Sequence, residues 1–212
     1  MAPRRYTSQR RDQAMADTRR RIVEAVVALH GEQGVQRTSY AQIAQRADVA
    51  VPTVYKHFPD LTELLGACIG HTAASAPTLT PDLFAGLDDT PARLDALVAL
   101  LFARHAALSP WLRWAQHEAA LVPELGAHAR HGHERDLRFI REALGPRFGT
   151  ALPKALLALV DILTRYSAWE TLTQDRGLSQ DDAIAAARAA IAALLDAAPP
   201  RTALPRIAKT PS

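Results

Sequence analysis

The sequence predicts an all-α chain with a small N-terminal domain ahead of a larger one, and three observations predict it. Residues 37 to 66 hold three helix-start signals in one short stretch. From Thr90 to Ala198 apolar residues keep returning at spacings of three and four, the repeat of a helix that buries one face. The charge divides the same way: residues 1–66 carry ten Lys/Arg against seven Asp/Glu, while residues 67–212 carry fifteen against fifteen.

Residues 1–15 place Arg4, Arg5, Arg10 and Arg11 among polar side chains with no periodic apolar face, which predicts a flexible basic arm. Asp17 or Thr18 then caps a first helix whose Ile22, Val26 and Leu29 form a core stripe, until Gly31 and Gly34 end it and Val35 packs the corner. Thr38 and Ser39 offer oxygens to cap a short helix, Tyr40 to Ala47, with Ile43, Ala44 and Ala47 on one face. Asp48 stands where the chain leaves that helix, a residue type that tolerates the left-handed region. Pro52, near the start of a second short helix over Val51 to His57, occupies a place where its missing N–H costs nothing. Val54 faces inward there, with Thr53, Tyr55, Lys56 and His57 outward. Two helices joined by so tight a turn make a helix-turn-helix. Pro59 closes it, and Asp60 with Glu63 starts a further helix from Leu61 through Ile69 to about Thr72 or Ala74.

The run IAQRADVAVPTVYKHFPDLTELL resembles the DNA-binding signature of TetR-type transcriptional regulators, I-A-x-x-A-G-V-S-x-x-T-x-Y-x-H-F-x-x-K-x-x-L. Ile43, Ala44, Ala47, Val49, Thr53, Tyr55, His57, Phe58 and Leu64 match in register. Three positions depart: Asp48 for the turn glycine, Ala50 for a capping serine, and Leu61 for a lysine. The resemblance implies a helix-turn-helix DNA-binding domain over 16–66, then a ligand-binding and dimerisation domain over 67–198. It also implies the contacts. Thr38 and Ser39 present a hydroxyl and a helix N-terminus to a phosphate, Tyr40, Tyr55 and His57 touch the backbone, and Val51, Pro52, Thr53 and Lys56 read base edges.

In the larger domain a link with Pro77 and Pro81 contains a short helix, Pro81 to Leu87. Thr90 and Pro91 start a helix to about Ala107 with Leu94, Leu97, Val98, Leu101 and Phe102 on its face, and Ser109 with Pro110 repeats the start signal. Pro123 to Leu144 forms a long helix that Pro146 and Gly149 break. Pro153 to about Gln174 is apolar on more than one face, from Leu156 to Trp169, and Ser179 caps a last, alanine-rich helix to Ala198. That surplus of apolar surface points to a two-fold four-helix interface, and TetR-like proteins dimerise through their last two helices. The proline-rich tail over 199–212 is expected to be disordered.

The resemblance further implies a small-molecule effector held between central helices of the larger domain. Candidates for that pocket are Phe102, His105, Trp111, Trp114, His117, Glu118, Tyr166 and Trp169, because such a site is mostly apolar with a few polar groups. His128, His131 and His133 do not share one helix face and have no cysteine near, so no metal and no cofactor is expected. The single Cys68 precludes an internal disulfide and suits a reducing cytoplasm. No apolar run reaches the roughly 18 residues needed to span a membrane. The reading is a cytoplasmic dimeric regulator, a repressor by the family's usual outcome, that binds a palindromic operator in double-stranded DNA and is released by its effector. The alternative is a helical small-molecule binding protein or enzyme whose helix-turn-helix is only scaffold, although phosphate-loop and nucleophile-elbow motifs are missing from the sequence.

Overall fold

The computed structural model describes residues 4–198. Among them are nine α-helices and no strand: α1 Arg4–Gln33, α2 Tyr40–Ala47, α3 Val51–His57, α4 Leu61–Ala74, α5 Thr90–Glu118, α6 Pro123–Phe148, α7 Lys154–Thr164, α8 Tyr166–Glu170 and α9 Gln180–Ala197. A 3-10 turn, Gly149–Ala151, follows α6, and a π-helical turn, Thr171–Asp175, follows α8. No described helix is long and apolar enough to cross a membrane. The tail expected over 199–212 lies outside the described residues.

The chain forms two compact units. The first takes the residues through Thr78 together with Ala103–His133, and the second takes Leu79–Phe102 and the residues from Glu134 on. α5 and α6 thus each contribute to both. In the first unit Ile22, Val26 and Leu29 of α1 meet Ile43, Ala44 and Ala47 of α2, Val54 of α3, Phe58, and Leu64 and Cys68 of α4. A smaller cluster joins Leu65 of α4 to Val122 and Leu125, with Val35, Leu61, Ile69 and Ala115 packed on it. In the second unit Leu97, Val98, Leu101 and Phe102 pack with Ile140, Leu144 and Phe148 of α6, Val160 of α7, Trp169, and Ile191 and Leu195 of α9.

Five boundaries differ from expectation. The basic segment expected as a flexible arm is helical from Arg4, and Asp17 and Thr18 lie inside α1 rather than capping it. Between Pro3 and Gly31 the sequence offers no breaker, Gln13 donates to Asp17, and the Thr18 hydroxyl donates to the Ala14 carbonyl four residues back. Residues 81–86 form consecutive turns instead of a helix, closed by Leu83 N–H to the Thr80 carbonyl and Leu87 N–H to the Phe84 carbonyl. α5 runs through Pro110 without stopping, since the bond it forfeits would go to the carbonyl of exposed Ala106, which water can serve. α6 likewise passes Pro146, and the Glu142 carbonyl that Pro146 cannot serve accepts Arg93 Nη1 at 3.3 Å. The long apolar helix from Pro153 is interrupted at Arg165, which is extended (φ −70°, ψ 160°). Thr164 sits at that break with its hydroxyl on the Val160 and Asp161 carbonyls, local bonds that compete with helix continuation.

One buried pair gives the first unit a pH dependence. His30 Nδ1 lies 3.5 Å from Cys68 Sγ in the core between α1 and α4, and burial pulls the imidazole down to about 4 while it pushes the thiol up to about 12. The folded value of His30 lies below the unfolded 6.5, so its stabilising share is complete above about 6.5 and is lost as pH falls toward 4, where the unfolded chain binds the proton first. Chemical unfolding should show wild type losing about 3 kcal/mol more than a His30→Leu variant between pH 7 and pH 4.

Candidate nucleic-acid interface

α2 is held at its start by a reciprocal cap. Gln42 N–H donates to Ser39 Oγ at 3.2 Å and Ser39 N–H donates to Gln42 Oε1 at 2.8 Å. The Thr38 hydroxyl donates to the Gly34 carbonyl at 2.7 Å. At the other end Asp48 takes the left-handed conformation (φ 52°, ψ 56°), and Val49 N–H closes on the Ala44 carbonyl. The position where the family pattern has glycine is left-handed here, with aspartate bearing the strain.

α3 starts at Ala50, whose side chain makes no cap, so Thr53 N–H to the Ala50 carbonyl at 2.8 Å and the ring of Pro52 organise its first turn. Val54 is fully buried and Phe58 beyond the helix end is too, while Val51, Pro52, Tyr55 and Lys56 are exposed and Thr53 and His57 half-buried. The helix is therefore anchored on one side and open on the other. Tyr40 and Tyr55 stack with ring centroids 4.4 Å apart, and the Tyr40 hydroxyl donates to the Phe58 carbonyl at 3.4 Å. Burial first, then neighbouring Tyr55 and Asp60, raises the Tyr40 phenol above its ordinary value. His57 is lowered by burial and then by the charges of Arg19 and Lys56.

The nine residues assigned to DNA by resemblance are brought together: Thr38, Ser39 and Tyr40 at the start of α2, and Val51, Pro52, Thr53, Tyr55, Lys56 and His57 along α3. The family resemblance also implies that α1 braces the helix-turn-helix, and the structure shows through which bonds it does so. Arg19 donates to the His57 carbonyl at 3.0 Å with its guanidinium 4.1 Å from the Phe58 ring centroid, and Arg21 donates to the Ala47 carbonyl at 3.1 Å. Arg19 and Arg21 thus serve carbonyls at the C-terminal ends of α3 and α2, targets that the sequence does not announce. Leu61, where the family pattern has lysine, packs partly buried on both apolar clusters of this unit.

The eight residues expected around an effector are divided between the units. Phe102, Tyr166 and Trp169 belong to the second, where Trp169 Nε1 donates to Gln180 Oε1 at 2.8 Å and the Tyr166 hydroxyl donates to Glu170 at 3.0 Å. His105, Trp111, Trp114, His117 and Glu118 belong to the first. There Trp111 Nε1 donates to the Val27 carbonyl, Trp114 Nε1 to the Gly31 carbonyl, and Glu118 accepts from the Val35 and Gln36 amides. Their polar atoms are engaged with backbone of α1 and the corner after it. A solvent-open groove of about 430 Å³ in the second unit, along α5 and α9, is lined by Leu94, Val98, Arg147, Arg188, Ile191 and Leu195, among others, and by none of those eight. His128 and His131 are exposed, and among the described residues no group of three or more His, Cys, Asp or Glu could hold a metal.

A braced helix with an open polar and apolar face, set after a tight turn, defines a helix-turn-helix protein. Residues 22–68 match the sequence model of the bacterial regulatory proteins of the tetR family. The chain is 36% identical over 58 residues to the transcriptional repressor KstR of Mycolicibacterium smegmatis, 27% of this chain and 28% of that protein. It is 29% identical over 151 residues to the transcriptional regulator BetI of Burkholderia thailandensis, 68% of this chain and 77% of that protein. A TetR transcription regulator from Haloarcula marismortui superposes with a TM-score of 0.60 at 16% identity, over 86% of this chain and 98% of that one, which shows a shared fold. Over residues 22–68 the chain therefore carries a TetR-family DNA-binding region.

The two departures that flank the turn have opposite consequences for stability. Ala50→Ser restores a side-chain acceptor at the start of α3 and should stabilise the protein by about 1 kcal/mol in denaturant unfolding. Asp48→Val forces a β-branched residue into a left-handed position and should destabilise it by about 1–2 kcal/mol, whereas Asp48→Gly should not destabilise it.

Proposed function

We propose that the protein is a transcriptional regulator that binds a palindromic operator as a homodimer through α3, with its DNA affinity set by a small-molecule effector. The observation that carries this is the division of α3: Val54 and Phe58 lock it into the core while Val51, Pro52, Tyr55 and Lys56 stay at the surface. Lys56 can donate to guanine, Val51 and Thr53 methyls suit a thymine methyl, and Thr38, Ser39, Tyr40, Tyr55 and His57 suit phosphate oxygens. Repression is favoured by the name that KstR carries, and action on a bacterial chromosome makes the cytoplasm its place of work.

Dimerisation is supported by the surface of the last helices. α7 and α9 pack on each other, Leu159 and Ile162 of α7 are 43% and 54% exposed, and α9 leaves Ala185, Ala186, Ala189, Ala190 and Ala193 exposed. Small side chains let a second pair of helices come close, and a two-fold axis would bury these faces on each other. Phe102, Tyr166 and Trp169 in the second unit are the residues we assign to an effector site there.

Selection from random duplex DNA should return an inverted repeat whose affinity falls steeply with salt. Lys56→Ala should weaken the best site about tenfold and relax one base position, and Tyr55→Phe should weaken all sites alike. Enrichment of no sequence would overturn the reading. Ile162→Arg should turn the dimer into a monomer in sedimentation and abolish tight binding to the inverted repeat.

A further inference from the structure

We propose that Glu118 is a positioning residue for DNA binding: its carboxylate, at the end of α5, sets the corner from which α2 starts. The inference rests on the regulator reading above and adds to it a control point away from the DNA-facing residues. Glu118 is 6% exposed, with Oε2 accepting the Val35 amide at 2.7 Å and Oε1 accepting the Gln36 amide at 3.3 Å. Neither amide lies in a helix, so a buried carboxylate supplies what helix geometry would supply elsewhere, through charge-assisted bonds.

The corner is shaped around that carboxylate. Gly34 has φ +83°, and a Cβ there would stand 2.4 Å from Glu118 Oε1. Only glycine meets both demands, the left-handed backbone and the open space. The same part of α5 holds the last turns of α1: Trp111 Nε1 donates to the Val27 carbonyl at 2.8 Å, while Arg113 Nη2 and Trp114 Nε1 donate to the Gly31 carbonyl at 2.9 and 3.1 Å. A Cβ at Gly31 would come within 3.1 Å of Trp111 Nε1.

From this clamp the path to the DNA-facing residues is short. The Thr38 hydroxyl donates to the Gly34 carbonyl and Gln33 Nε2 donates to the Arg37 carbonyl, each at 2.7 Å, and Ser39 caps α2 directly after them. A shift of the Val35 and Gln36 amides therefore carries Thr38, Ser39 and the start of α2 with it. The hydrophobic core beneath α2 and α3 contains neither amide, so loosening the clamp misplaces the phosphate contacts while the domain stays folded.

The test compares wild type with Glu118→Gln, which keeps one carbonyl oxygen but turns an NH2 group toward the corner, with Gly34→Ala, and with Val160→Ala as a destabilised control in the second unit. The inverted repeat selected with wild type is the probe. Glu118→Gln should bind it about tenfold more weakly than Val160→Ala of matched melting temperature, with faster hydrogen exchange at Val35 and Gln36 and unchanged exchange at Ile43 and Val54. Gly34→Ala should show the same pattern, and its loss should shrink in a Glu118→Ala background, where the oxygen it collides with is gone. Wild-type binding that Glu118→Gln leaves equal to the control would overturn this inference alone. A wild type that selects no duplex would overturn the regulator reading, and this inference with it.

Discussion

Burial of one small apolar cluster is the condition on which the helix-turn-helix exists. α2 and α3 have eight and seven residues, too short to be helical alone, since isolated helices under about 12–15 residues are marginal in water. Their order comes from Ile43, Ala44, Ala47, Val54 and Phe58, all buried against Ile22, Val26 and Leu29 of α1 and Leu64 of α4. Because Val54 and Phe58 are the only buried residues of the stretch from Val51 to Phe58, Val51, Pro52, Tyr55 and Lys56 stay exposed on the other side of α3. A firmly held, exposed face is thereby obtained from a short element.

Backbone carbonyls and amides left over at the helix ends account for most of the polar architecture around this cluster. Arg21 serves the end of α2 and Arg19 the end of α3, while Glu118 serves the corner that follows α1. Arg93 serves the carbonyl that Pro146 leaves open in α6. Each pairing places a charged side chain on a backbone group, where a hydrogen bond to a charge is stronger than a neutral one. The family departures fit the same economy: Leu61 gives up a cation and gains apolar contact, and Ala50 gives up a cap that Pro52 partly replaces by fixing the first turn.

Most of this was legible in the helix-turn-helix and little of it elsewhere. The bounds of α2 and α3 follow from Ser39, Asp48, Pro52 and Pro59, because capping and left-handed positions accept few residue types. Prolines misled in the longer helices. Pro110 and Pro146 look like breaks, yet a proline whose forfeited bond faces water, or is taken up by an arginine, need not end a helix. The break at Arg165 has no glycine or proline to announce it, and Thr164 beside it turns its hydroxyl onto carbonyls of its own helix.

By itself the sequence determined the all-helical class, the helix-turn-helix, and the inward Val54 with the outward Tyr55 and Lys56, since these depend on local spacing and capping chemistry within a few residues. Only the tertiary structure decided what Trp111, Trp114 and Glu118 do. As aromatic and acidic residues at helical spacing they look like the lining of a pocket, but their partners, from Val27 to Gln36, lie more than eighty residues away in the chain. A hydrogen bond to a backbone group needs only a donor or an acceptor at the right distance, so it leaves no pattern in the residues that receive it.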